Sequence, residues 1–302
     1  MPTLDELAET YLIACRVEGK SSRTIAAYGQ SIRVLQRVAA ERGFPEDADA
    51  LTVRHGYEFL AAVQEGGASR GYQHRLHVEV RTFLSWCVRM ELVSSNPLSR
   101  VPLVRRDQVL VEPFTPDEVE SLLDAGCSTQ RTGTRNTALI LFLLDTGVRV
   151  AECVQTRLDD VDWLNGRVRI LHGKGRKQRW VGLGRRAMHA LHQYVDEVRG
   201  RDPGTLFLST YTRGPMRVFA VNTLLTRLGD RAGVAHVHPH RFRHTFATWS
   251  LRSNAREIDV QILLGHSSMA MTQRYARTYS SDQAVAAHGS FSPVALLRTT
   301  MG

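Results

Sequence analysis

The sequence predicts a mainly α-helical chain with one small antiparallel β-sheet, an α+β class, divided into two domains. Three observations support this. Apolar residues recur at helical spacing through most of the 302 residues. One region only, after Asn165-Gly166, switches to the two-residue alternation of a strand. Between Asn96 and Pro116 a run of prolines (Pro97, Pro102, Pro113, Pro116) interrupts all periodicity. That break marks a linker, drawn at 106–112, between a first domain at 1–105 and a second at 113–302.

Taken in order, residues 4–16 place Leu4, Leu7, Ala8, Tyr11, Leu12 and Cys15 on one helical face, and Gly19 stops the helix. Ser21-Ser22 offers N-caps to a second helix over 24–41, which Gly43 ends. Two more helices, 52–64 and 69–90, are separated by Gly66-Gly67 and complete an all-α first domain. The second domain opens with Thr115-Pro116-Asp117-Glu118, an N-cap followed by a proline at the first helical position and acids in the first turn. A strongly apolar helix over 134–146 closes at Gly147. Asn165-Gly166 is a tight-turn signal, and the strands are expected at 167–171 and 179–183. Helices are expected again around 186–200, 217–232, 239–253, 256–264 and 268–276.

With 43% apolar and 23% charged residues the chain can bury a substantial core. It has no run of about 18 apolar residues, and its start, MPTLDELAETYL, is acidic and amphipathic, unlike a signal peptide. A cytoplasmic protein is expected. Cys15, Cys87, Cys127 and Cys153 form no CxxC pair, so they are read as four buried thiols in a reducing compartment. The formal charge of +9 favours a polyanionic partner. Through Arg105 there are 13 basic and 12 acidic residues, and beyond it 26 against 18, so the excess lies in the second domain. Lys20, Lys174 and Lys177 are the only lysines, which makes a lysine in a functional position informative, because ammonium can donate a proton where guanidinium cannot.

Four separated stretches carry chemistry. In TGVRVAE a glycine ends an apolar helix, Arg149 starts the next, and Glu152 follows one turn on; the pair is either a surface i,i+3 contact or a fork presented to phosphate. In HGKGRKQR glycines flank Lys174 on a turn, where it could reach another molecule or remain a solvated basic loop. In HPHRFRHTFAT, Pro239 starts a helix with His240 and Arg243 on one face and Phe242, Phe246 and Trp249 on another. His236, His238, His240 and His244 cluster there without flanking Cys or carboxylate partners, so no metal site is expected. Finally, LLGHSSMAMTQRY puts His266 on a glycine turn and Tyr275 nine residues later beside Arg274. A phenol with a pKa near ~10 becomes a nucleophile only where neighbours favour its anion or take its proton.

The order of these motifs resembles the tyrosine recombinase, or phage integrase, family over residues 113 to about 280. KSSRTIAAYGQSIRVL and FLSWCVRMELVSSNPLSRV resemble that family's core DNA-binding domain. The resemblance implies a catalytic second domain that acts without metal, ATP or other cofactor. Tyr275 is the implied nucleophile, Arg149 and Arg243 hold the non-bridging phosphate oxygens, and His240 and His266 hydrogen-bond the phosphate, with His240 receiving the phenolic proton. Lys174 protonates the departing 5′ oxygen and Glu152 orients its neighbours. A 3′-phosphotyrosyl intermediate, a Holliday junction, double-stranded DNA with inverted core-type sites, a tetramer on DNA, and directionality or accessory proteins follow from the same resemblance. The absence of an arm-binding segment before Leu4 points to the Xer-like or compact integrases. Three positions depart from the family pattern: Thr156 for Leu, Asn254 for Gly and Arg277 for His, while Tyr279 is a rival nucleophile one helical turn from Tyr275. A type IB topoisomerase and a non-catalytic DNA-binding regulator are the alternative readings.

Overall fold

The structure is a computed structural model that describes residues 2–105, 112–128, 132–171 and 178–266. It divides into two units, Met1–Val109 and Leu110–Gly302.

The first unit contains α1 (Leu4–Val17), α2 (Ser22–Arg42), α3 (Val53–Glu65) and α4 (Arg70–Arg89). Local chemistry sets their ends. The Thr3 hydroxyl accepts the Glu6 N–H while the Glu6 carboxylate accepts the Thr3 N–H at 2.8 Å, a reciprocal cap. Ser21 accepts the Thr24 N–H at 3.1 Å, and Gly43 ends α2 at φ +66°. Leu7, Tyr11, Ile32, Phe59, Leu76, Val80 and Phe83 form the core between the helices. Among the polar side chains buried in this unit, His77 on α4 is fully buried and neither ring nitrogen has a hydrogen-bond partner. Burial and the nearby Arg81 and His74 charges hold its pKa below the ordinary histidine value.

The second unit is built on α6 (Gly133–Thr146), apolar nearly all round, with Leu139, Ile140, Phe142 and Leu143 buried. Around it lie α5 (Pro116–Cys127), α8 (Arg185–Tyr194) and α10 (Pro239–Arg252), with α7 (Val150–Gln155), α9 (Val218–Ala232) and α11 (Glu257–Leu264) completing the helices described. The sheet runs β1-β2-β3, all antiparallel, as Val161–Asp162, Arg167–Leu171 and Gln178–Gly182. The pairing sets Val168 opposite Val181 and Ile170 opposite Arg179. Alternation therefore buries Val168, Ile170, Arg179 and Val181 and exposes Arg167, Leu171, Gln178 and Trp180.

Several sequence expectations shift here. The sheet has a third strand, β1, too short to show a period, and β3 begins one residue before the expected 179. α8 stops at Tyr194, because residues 195–199 widen into a π turn ended by Gly200 at φ +77°. The buried Arg199 guanidinium closes that turn by donating to the carbonyls of Gly200 and Thr205. Of the cysteines, Cys15, Cys87 and Cys153 are buried, but Cys127 is exposed, since it lies in the last turn of α5 with its side chain off the core face. The expected helix over 268–276 and the linker residues 106–111 lie outside the described residues. Among the described residues no helix is long and apolar enough to cross a membrane.

Candidate active site

The site starts from a glycine. α6 ends at Gly147 with φ +58°, and a Cβ there would lie 2.6 Å from Phe246 Cδ1 and 2.8 Å from Leu264 Cδ2, so both the backbone and the space require glycine. The turn points the Gly147 carbonyl at α10, where Arg243 Nη1 donates to it at 2.8 Å. Arg243 Nη2 donates to the Leu264 carbonyl at the end of α11, again at 2.8 Å. A single buried guanidinium thus joins the ends of α6 and α11.

Two residues past Gly147, Arg149 caps α7 and Glu152 stands at its third position. The Glu152 carboxylate accepts the Arg149 backbone N–H at 2.9 Å and Arg149 Nη1 at 3.2 Å. The i,i+3 pair read from the sequence exists, but it is only half at the surface: the Arg149 side chain is 44% exposed and Glu152 7%. Glu152 is buried because a third partner reaches it from below. Arg179 on β3 donates Nη1 and Nη2 to its two oxygens at 3.1 and 2.8 Å, a fork-to-fork pair, and Nε to the Leu263 carbonyl at 2.7 Å. Burial pushes the Glu152 carboxyl up, but the Arg179 and Arg149 hydrogen bonds and charges outweigh it, and its pKa lies below the ordinary carboxylate value.

α10 is fixed by its own sequence. His238 Nδ1 accepts the Arg241 N–H at 3.2 Å as N-cap, with Pro239 first in the helix. Arg241 donates to Glu118 at 3.0 and 2.9 Å and lies 4.0 Å over the Phe114 ring. Thr245 Oγ1 accepts the Phe114 N–H at 2.8 Å. Alternate residues of HRFR thus turn different ways: Arg241 ties the helix to α5, Phe242 enters the core, Arg243 reaches the ends of α6 and α11, and His240 remains exposed.

After α11, Gly265 turns the chain at φ +63° and the His266 N–H bonds the Gln261 carbonyl at 3.1 Å. The His266 ring is half-buried, and its pKa is pushed down to about 4, by burial first and then by the charges of Arg243, Arg149, Arg179 and His240. That shift records convergence, since groups from α7, β3 and α10 act on one ring. The ring stays neutral near pH 7, and the positive potential around it favours an anion.

The structure therefore brings Arg149, Glu152, His240, Arg243 and His266 together. Lys174 and Tyr275 lie outside the described residues. Arg179 is the residue that sequence reasoning passed over. The signal was present: it falls in the buried phase of β3, two residues before Val181, where an unpartnered cation is costly. Of the departures, Asn254 adopts φ +63°, a conformation Asn tolerates, and buried Thr156 donates Oγ1 to the Glu152 carbonyl at 2.9 Å while its own carbonyl accepts the Leu206 N–H.

The Phage integrase family model matches residues 112–281, more than half the chain. Tyrosine recombinase XerC of Bacillus subtilis is 33% identical over 265 residues, covering 84% of this chain and 86% of that protein. Tyrosine recombinase XerD of Bifidobacterium longum is 33% identical over 284 residues, covering 89% and 91%. Among solved structures, the Tn1549 transposon integrase in complex with a circular intermediate DNA superposes with a TM-score of 0.79 at 19% identity, covering 96% of this chain and all of that one, a likeness of fold. With Arg149, His240 and Arg243 all acting on the half-buried His266 ring, and with relatives this similar along nearly the full length, the chain belongs to the phage integrase family, the tyrosine recombinases.

Proposed function

We propose that this protein is a site-specific DNA recombinase that cleaves and rejoins DNA through a 3′-phosphotyrosine intermediate and a Holliday junction. One observation supports it above the rest: the charges of Arg149, Arg243 and Arg179 and the His240 ring converge on a neutral His266. Attack on a phosphodiester places negative charge on the non-bridging oxygens, and preorganised guanidinium groups stabilise that charge more in the transition state than in the ground state.

In this reading the exposed fork of Arg149 and the Arg243 guanidinium bind the scissile phosphate. His266, neutral and therefore able to donate from one nitrogen, hydrogen-bonds an oxygen of it. His240 takes the phenolic proton as Tyr275 attacks phosphorus; the phosphorus bond to the 5′ oxygen breaks and Lys174 protonates that oxygen. The covalent link conserves the bond energy, so a second strand's 5′ hydroxyl can attack phosphorus, release the phenol and reseal the backbone. The first unit is read as the core DNA-binding domain, with the division at 1–105, 106–112 and 113–302. The working assembly is a tetramer on double-stranded DNA carrying inverted core-type sites, in the cytoplasm, with directionality or accessory proteins setting the outcome. Topoisomerase and non-catalytic readings are not favoured, because the full-length relatives are tyrosine recombinases.

The test is a covalent-adduct assay on denaturing gels with a nicked duplex whose sequence is recovered from DNA trapped on the wild-type protein. Wild type is expected to form the adduct, and Tyr275→Phe to bind the same duplex without forming it. An adduct that persists in Tyr275→Phe and disappears in Tyr279→Phe moves the nucleophile; no adduct with wild type overturns the reading.

A further inference from the structure

Arg179 closes the stretch HGKGRKQR, five residues beyond Lys174, and no chemical step above is assigned to it. We propose that Arg179 is a positioning residue for strand cleavage: through Glu152 it aims the Arg149 guanidinium, and through the Leu263 carbonyl it fixes the turn that presents His266. The proposal rests on the recombinase reading and adds a residue to it.

The geometry assigns the division of labour. Arg179 and Arg149 share one carboxylate, yet Arg179 is 8% exposed and Arg149 44%. The exposed guanidinium takes the phosphate, and the buried one sets the direction of the carboxylate that steers it. Each Glu152 oxygen is held from both sides, Oε1 by Arg179 Nη1 and Arg149 Nη1, and Oε2 by Arg179 Nη2 and the Arg149 backbone N–H. Rotation of the carboxylate would break bonds to both arginines together.

The second arm acts on α11. The last carbonyls of a helix have no partner within it and need donors from outside. Leu263 receives Arg179 Nε and Leu264 receives Arg243 Nη2, so guanidinium groups from β3 and α10 clamp the helix end just before Gly265 turns and His266 follows. Arg179 lies on β3, so one side chain links that strand to the Arg149 and His266 segments. A planar fork with a fixed third donor is needed for this; lysine carries all its donors on one nitrogen and cannot reach both Glu152 oxygens and the Leu263 carbonyl in the same geometry.

The experiment compares wild type, Arg179→Lys, Glu152→Gln and the double variant on the duplex defined above, reading its Kd and the single-turnover rate of adduct formation at saturating DNA. Arg179→Lys is expected to keep its affinity within about threefold and to lose roughly ten- to hundredfold in rate, the cost of sub-ångström misplacement. The double variant should lose less than the product of the single losses, because both residues steer Arg149 through the same carboxylate. A wild-type rate in Arg179→Lys, a rate loss matched by an equal loss of affinity, or single losses that multiply in the double variant overturns the proposal. A second readout needs no DNA: the His266 ring, identified by His266→Gln, should titrate by NMR above its value of about 4 in Arg179→Met, since one of the charges acting on it has gone. An unmoved titration in the folded variant also overturns it. If wild type forms no adduct the recombinase reading fails, whereas unaltered cleavage or an unaltered His266 titration counts against Arg179 alone.

Discussion

Gly147→Ala separates two effects that act on the same turn. At φ +58° an L-residue meets the left-handed penalty of about 1–2 kcal/mol, and its Cβ would stand 2.6 and 2.9 Å from Phe246 Cδ1 and Cγ and 2.8 Å from Leu264 Cδ2. Inserting a methyl into so tight a space forces the ring or the end of α11 to move, typically costing about 1–3 kcal/mol. The total is roughly 2–5 kcal/mol. Gly233 supplies the control: it caps α9 in the same unit at φ +67°, with nothing within 4 Å of its Cβ position. Gly233→Ala should lose only the conformational share, about 1–2 kcal/mol. The difference of about 1–3 kcal/mol corresponds to about 2–12 °C in Tm for a unit of this size. Calorimetry of both variants, with urea unfolding as a check, measures it. If Gly147→Ala melts no lower than Gly233→Ala, the steric argument for this turn is wrong.

The remaining predictions concern single buried groups. His77 has a folded pKa below its unfolded value, so the native state refuses a proton that the unfolded chain accepts as pH falls below about 6.5. Stability linked to His77 is therefore full above that pH and is lost below it, by up to about 1.4 kcal/mol per pH unit; His77→Leu should flatten this slope in urea unfolding between pH 5 and 7, and an unchanged slope refutes the assignment. Thr245→Val keeps the shape of the side chain but leaves the Phe114 N–H without its acceptor in a fully buried position, at a cost of roughly 1–3 kcal/mol. A Tm within a degree of wild type would show that the backbone finds another partner.

Much of the fold was legible because its causes are local. Thr3, Ser21, Thr115 and His238 cap helices with their own side chains or with a residue three positions away, and Gly43, Gly147, Gly233 and Gly265 end helices because each needs a positive φ. The strands at 167–171 and near 179 showed their period because one face is buried. Elements without a period were missed: a two-residue strand is too short to show one, and the π turn at 195–199 depends on Arg199 finding carbonyls farther along the chain.

The sequence by itself determined the class of the protein, since the order and spacing of TGVRVAE, HGKGRKQR, HRFRHTFAT and LLGH survive in the linear chain whatever surrounds them. Only the tertiary structure decided how those residues serve one another. Arg243 meets Gly147 across 96 positions, and Arg179 meets Glu152 across 27 and Leu263 across 84. Helical and strand periods are set by contacts a few residues apart. The partner of a buried guanidinium is set by which distant carbonyl or carboxylate is left without a bond when the core closes, and no local pattern records that.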